Sequence, residues 1–195
     1  MTLHENALAV LSGWTAPSAE AEATRQRFLD FVRPDPTTVW REHHGGHVTA
    51  SALVVDAAAE RVLLCLHGRI KRWVQLGGHC EPGDATVASA ALREATEESG
   101  ILGLRISEAP INLDVHHVHC SGGPSLHYDI RYAAIAQPGA VETVSAESSA
   151  LGWFAPDELP EPLADATEIL VAPALAWALT AARTSPAPSG SRPAS

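Results

Sequence analysis

Aromatic residues make up only 5% of this chain, cysteine occurs 3 times and methionine once. Cationic side chains are scarce as well: 13 Lys plus Arg stand against 23 Asp plus Glu, for a formal charge of −10. Each shortage argues against a class of protein. Cys65, Cys80 and Cys120 are widely spaced and form no Cys-x-x-Cys pair, which disfavours a disulfide framework and a cysteine-rich zinc site. The acidic surface repels polyanions, so nucleic acid is not an expected partner. A small anionic substrate stays open, because bound cations reverse the field locally. No stretch reaches about 18 uninterrupted apolar residues; the nearest, Ala164 to Ala182, contains Asp165, Glu168 and Pro173. No basic segment followed by an apolar run and a cleavage site opens the chain, so no secretory signal is read. The expectation is a soluble cytoplasmic protein without a membrane partner; a homodimer is the other association left open.

What is present suffices for a core. A hydrophobic fraction of 46% over 195 residues suits one ordinary domain with peripheral additions. Residues 3–12 and 18–32 read as helices of an N-terminal extension, 1–36, stopped by Pro34 and Pro36. In the main domain, 37–183, the run His43-His44-Gly45-Gly46-His47 reads as a loop. Strands are expected from Val48 to Asp56, Val62 to Leu66, Trp73 to Leu76, Ile111 to Val118, Leu126 to Ala136 and Leu151 to Phe154. Gly77 to Gly83 reads as a loop leading into a helix, Asp84 to Ser99, with Asp84 as N-cap and Gly100 as its stop. Pro156 to Leu159 reads as a helical turn, and Ala164 to Ala182 as a terminal helix kinked near Pro173. Residues 184–195 are rich in Ser, Pro and Ala and read as a disordered tail. Strands before and after a central helix make a mixed α/β domain.

Chemistry concentrates in Arg93-Glu94-Ala95-Thr96-Glu97-Glu98. Helical periodicity puts Glu94, Glu97 and Glu98 on one face. At an effective dielectric of about 20, each close carboxylate pair costs on the order of 3–4 kcal/mol before screening. A hard divalent cation relieves that repulsion, and Mg²⁺ or Mn²⁺ takes oxygen ligands of this kind. Seen alone, such a helix is most often a solvated face. The Gly-rich loop with Pro82 and Gly83 changes the balance, since loop carbonyls can join the carboxylates around one ion.

The segment Gly78 to Ile101 resembles the Nudix box of the Nudix hydrolases. Gly78 and Arg93-Glu94-Ala95-Thr96-Glu97-Glu98-Ser99-Gly100-Ile101 fit its pattern. Asp84 stands where the pattern has Glu, and eight residues rather than seven separate it from Arg93. The late Trp153-Phe154-Ala155-Pro156-Asp157-Glu158-Leu159 resembles the segment that closes such domains. The resemblance implies an α/β/α sandwich with a mixed sheet, carrying extra N-terminal helices here. It implies hydrolysis of a phosphoanhydride bond in a nucleoside diphosphate derivative or related small organic diphosphate. Glu94, Glu97, Glu98 and the Gly78 carbonyl would hold Mg²⁺, with Mn²⁺ as a substitute, and Arg93 would orient the glutamates. Glu94 or Glu97 would accept a proton from water, and Glu147, or else Glu142, would complete the site.

Other residues carry weaker signals. The histidines cluster, but none forms a His-Glu-x-x-His zinc motif. His79 lies inside the box, where its imidazole either donates to a phosphate or is structural; His116 and His127 are candidates to line the cleft. Arg69, Lys71 and Arg72 form the one compact basic run, a solvated turn or a phosphate contact. Trp40 and Trp73 are core residues or stacking platforms for a base. Cys80 has no evident partner base, and no Gly-Lys-Ser/Thr follows the Gly-rich loop. Two further readings remain: a Nudix-type domain that binds a nucleotide-like ligand without cleaving it, and an isomerase of prenyl diphosphates using Cys80.

Overall fold

The computed structural model describes residues 1–120, 123–144 and 148–184. Two helices come first, α1 (Leu3–Gly13) and α2 (Ala19–Val32), each started by a hydroxyl cap, Thr2 and Ser18. A short 3₁₀ turn, Pro36–Val39, follows. Strand β1 (His47–Val55) is buried at every position and organises the sheet. The antiparallel partners along its one edge are β4 (Leu76–His79) at its start and β2 (Val62–His67) at its end. Along the other edge runs β7 (Gly123–Ile135), parallel to it from His47↔His127 to Val55↔Ile135. Strand β2 also pairs with β3 (Trp73–Val74) and β8 (Ser148–Phe154). The far edge of β7 takes β5 (Arg105–Ile106) and β6 (Asn112–Cys120).

Alternation along β1 and β7 builds two cores, because successive side chains of a strand point to opposite faces. Val48, Ala50, Ala52 and Val54, with Tyr128, Ile130 and Tyr132, pack against α1, α2 and the central helix α3 (Val87–Ser99). Leu53, Val55, Ala133 and Ile135 pack against the terminal helix α4 (Val171–Thr184). The result is the expected α/β/α sandwich around a mixed sheet, with the N-terminal helix pair added. Phe31 of α2 stacks on Tyr128 at 3.9 Å, and Trp14 donates to the Pro110 carbonyl at 2.7 Å, so the helix pair is tied into the same core.

Four local expectations are corrected. Gly77-Gly78-His79 is strand rather than loop, paired with Ser51, Ala50 and Thr49. A Cβ on Gly77 would lie 2.5 Å from Ser51 Cα, so the close approach demands glycine. Helix α3 starts three residues late. Its N-cap is Thr86, whose hydroxyl accepts from the Ser89 amide while the Thr86 amide donates to Ser89 Oγ. Asp84 is not the cap because its carboxylate is used elsewhere, as shown below. Pro156 to Leu159 holds a single turn closed by Glu158 N–H donating to the Ala155 carbonyl, without a helix. The segment around Ala164 is not helical either: its amide donates to the Trp73 carbonyl and Leu163 bridges Trp73. Pro173 then falls in the first turn of α4, where a missing N–H costs nothing, so no interior kink arises. Among the described residues, no helix is long and apolar enough to cross a membrane.

Thr86→Ala should lower stability by about 1 kcal/mol, the usual cost of a lost hydroxyl cap. Urea denaturation checks it; an unchanged midpoint would mean that the start of α3 is held by something other than this cap.

Candidate active site

Helix α3 lies against β4, and the guanidinium of Arg93 is the joint between them. It donates to both Asp84 oxygens at 3.1 Å, to Glu94 Oε1 at 3.0 Å, to Glu97 Oε2 at 3.0 Å and to the His79 carbonyl at 2.8 Å. Planar fork geometry suits this work, since one cation addresses several oxygens in fixed directions. The hydrogen bonds to Asp84, foremost, and the surrounding charge raise the Arg93 pKa far above its ordinary value, despite the opposing effect of burial. Asp84 also accepts from the Glu81 amide at 2.7 Å, which closes the loop before the helix. The departure at this position therefore retains an anchor for the arginine.

Glu98 reaches the same strand by another donor: the Gly77 amide donates to Glu98 Oε2 at 2.9 Å. Glu94 sits directly over Gly78. A Cβ there would be 2.7 Å from the Glu94 carboxyl carbon, so only glycine leaves room for the carboxylate. The Glu97 side chain is 61% exposed against 15% for Glu94, giving one enclosed and one open carboxylate on the same arginine. Asp84, Glu94 and Glu97 share one guanidinium while Glu98 is held by the Gly77 amide, so four carboxylates and one cation leave three formal negative charges. An excess of this size with oxygen-only donors beside an exposed strand backbone fits a hard divalent cation.

The other predicted residues divide by face. The His79 backbone serves the carboxylate side, but the strand alternates, so its imidazole lies on the opposite face with those of His47 and His127. The ring centroids are 4.9 Å (His47–His79), 4.8 Å (His47–His127) and 5.3 Å (His79–His127) apart. His116 stands 5.5 Å from His127, with Nδ1 held by Asp114 at 2.7 Å. Burial, foremost, and the neighbouring histidines lower the pKa of His47 to about 4 and of His127 to about 3. Arg69 is exposed in the turn between β2 and β3, while Arg72 is spent on Leu163 and Asp165 and Lys71 reaches Ser149. Glu142 accepts from the Trp153 indole at 2.8 Å, and Glu147 lies outside the described residues. Trp40 lines a groove of about 420 Å³ with Arg41, Glu42, Cys80, Glu81 and Pro82, whereas Trp73 packs edge-on against Phe154 in the core. Cys80 is 4% exposed, and burial first, then Asp84, pushes its thiol up to about 12. A protonated, enclosed thiol is no nucleophile, which removes support for the isomerase reading.

Sequence reasoning did not single out a buried network beneath residues 163–167. Asp129 there accepts from Ser51, Thr49, Gln75 and Arg131, and Arg131 also pairs with Asp114 at 2.8 Å. The available signal was polar residues at alternate positions of two otherwise apolar strands, Thr49 and Ser51 beside Asp129 and Arg131.

A family model described as the NUDIX domain matches residues 26–177. The chain belongs to the Nudix family. Its enzyme class is accordingly that of a Nudix-type pyrophosphohydrolase. Among solved structures, a Nudix-family hydrolase from Clostridium perfringens is similar at 22% identity and a TM-score of 0.56, over 67% of this chain and 97% of that one. An Ap4A hydrolase from C. elegans is similar at 19% identity and a TM-score of 0.54, over 68% and 98%. A MutT Nudix hydrolase from Burkholderia pseudomallei is 29% identical with a TM-score of 0.50, over 64% and 95%. No curated protein matches the sequence.

Two outcomes follow from this geometry. With His47 held to about 4 and His127 to about 3, below the ordinary histidine value of 6.5, the unfolded chain binds more protons below 6.5, so their contribution is present above 6.5 and lost progressively as the pH falls towards 4 and 3. The melting temperature in metal-free buffer should therefore fall across that window, and fall less steeply in His127→Phe. A Cys65→Ser/Cys120→Ser protein should leave Cys80 unreactive towards a thiol reagent at pH 8 while folded and fully reactive in denaturant; rapid native labelling would contradict the burial.

Proposed function

We propose that this Nudix protein hydrolyses a phosphoanhydride bond in a nucleoside diphosphate derivative or a related small organic diphosphate, using Mg²⁺ held by Glu94, Glu97, Glu98 and the Gly78 carbonyl. One observation carries the reading: Arg93 and the Gly77 amide hold Glu94, Glu97 and Glu98 beside a glycine whose missing Cβ is what lets Glu94 fit. Mn²⁺ meets the same donor set. When bound, such a cation neutralises the diphosphate and lowers the pKa of an attacking water. Everything else is the work of the chain. Arg93 fixes the directions of Glu94 and Glu97 through one oxygen each, and Glu98 is tied to the strand. Glu94 or Glu97 accepts the proton of the water as its oxygen bonds to phosphorus and the bridging P–O bond breaks. Products are two phosphate-terminated fragments, or one with orthophosphate.

A nucleotide substrate is supported by the likeness to the Ap4A hydrolase, whose name specifies a dinucleoside polyphosphate. Arg69 is the proposed phosphate-side contact, with Glu142 or Glu147 adding a carboxylate; the imidazoles of His79 and His127, on the other face of the sheet, take no part in this reading. A cytoplasmic setting belongs to the reading, and the buried thiol of Cys80 suits a reducing compartment.

The test is a panel of nucleoside triphosphates, nucleotide sugars, dinucleotides and prenyl diphosphates with Mg²⁺, read as phosphate release. Glu98→Gln or Glu97→Gln should reduce turnover of the best substrate roughly 100-fold or more, with an unchanged circular-dichroism melt. Turnover that survives complete chelation would overturn the mechanism. Tight binding without product across the panel would favour a non-hydrolytic nucleotide sensor.

A further inference from the structure

The carboxylate site leaves unused the histidines on the other face of the sheet. His47, His79 and His127 each offer an imidazole nitrogen, and these atoms all lie within 4.8 Å of one another. They come from β1, β4 and β7, which are neighbours in the sheet, with His47 directly opposite His127 in register and His79 opposite Thr49. Ladder hydrogen bonding therefore sets the convergence, and not a flexible loop. His47 is 1% exposed, and neither of its ring nitrogens has a hydrogen-bond partner. Buried polar atoms in that state are rare and imply a missing partner. Between two other imidazoles, a cation with an affinity for nitrogen would supply that partner.

We propose that His47, His79 and His127 form a second metal site, which binds a transition-metal dication of the Zn²⁺ type through three neutral imidazoles. Donor chemistry separates it from the carboxylate site: nitrogen ligands suit Zn²⁺, Cu²⁺ and Ni²⁺, whereas Mg²⁺ takes oxygen. Ligand nitrogens around tetrahedral zinc stand about 3.4 Å apart, given Zn–N bonds of about 2.0–2.1 Å. The present span of up to 4.8 Å exceeds that by about 1.4 Å, a gap that side-chain rotation would have to close. Lowered proton affinity keeps His47 and His127 in the neutral form that ligation requires. The charged groups behind the cluster also accept a cation, because Arg131 is already neutralised by Asp129 and Asp114. His116, oriented by Asp114, lies next to His127 but outside the three-histidine group, which would leave a fourth coordination position open. Three protein ligands leave that position to water or to an anionic oxygen.

Zn²⁺ titrated calorimetrically into metal-free protein, in excess Mg²⁺, tests the site without reference to activity. One ion should bind; the Glu97→Gln/Glu98→Gln protein should bind it equally, and His127→Phe should weaken it on the order of 100-fold. Loss of the ion in the glutamate variant but not in His127→Phe would overturn the proposal, as would no binding in excess Mg²⁺. Electron paramagnetic resonance of Cu²⁺ bound to the unaltered protein gives an answer that depends on no variant. Nitrogen coupling from three imidazoles is expected, and an oxygen-only signal would refute it.

Discussion

Arg93 has to satisfy, with one planar cation, a loop carboxylate, two helix carboxylates and a strand carbonyl. Those contacts fix the distance and rotation of α3 relative to β4. The loop can vary by a residue so long as Asp84 still meets the guanidinium. Gly77 and Gly78 are the other half of the constraint, because only strand residues without Cβ let Ser51 and Glu94 approach from either side. The carboxylate cluster is thus held by a cation that cannot leave and surrounds a place where another charge is needed. An arrangement of like charges that would be costly in isolation becomes a site by this means.

The same strand separates two kinds of chemistry. Period-two alternation turns Gly78 towards oxygen donors and His79 towards nitrogen donors, so one residue step along β4 changes the class of ion that is favoured. Behind the imidazoles the Asp129–Arg131–Asp114 network is closed on itself, two carboxylates sharing one guanidinium with one formal negative charge left over. That closure lets polar residues replace apolar ones at the middle of a buried sheet without leaving an isolated charge. Helix α4 covers only the apolar end of this face, where Leu53, Val55, Ala133 and Ile135 lie.

Much of the fold was legible from local pattern. Strand and helix positions followed from apolar periodicity, and the enzyme class followed from Arg93 to Ile101, because short-range spacing on a helix determines which side chains share a face. Local spacing misled where a residue had a distant partner. Asp84 looked like a cap but was drawn to Arg93, and Gly77-Gly78-His79 looked like a loop but was paired by β1. Ala164 looked helical but is held extended by Trp73.

By itself the sequence determined the α/β class and, through the spacing from Arg93 to Ile101, the Nudix family, both properties of neighbouring residues. Only tertiary structure decided that His47, His79 and His127 meet, that Cys80 is sealed and protonated, and that Asp84 anchors the arginine. Strand register and burial bring together residues far apart in the chain, and no local periodicity encodes which strands become neighbours.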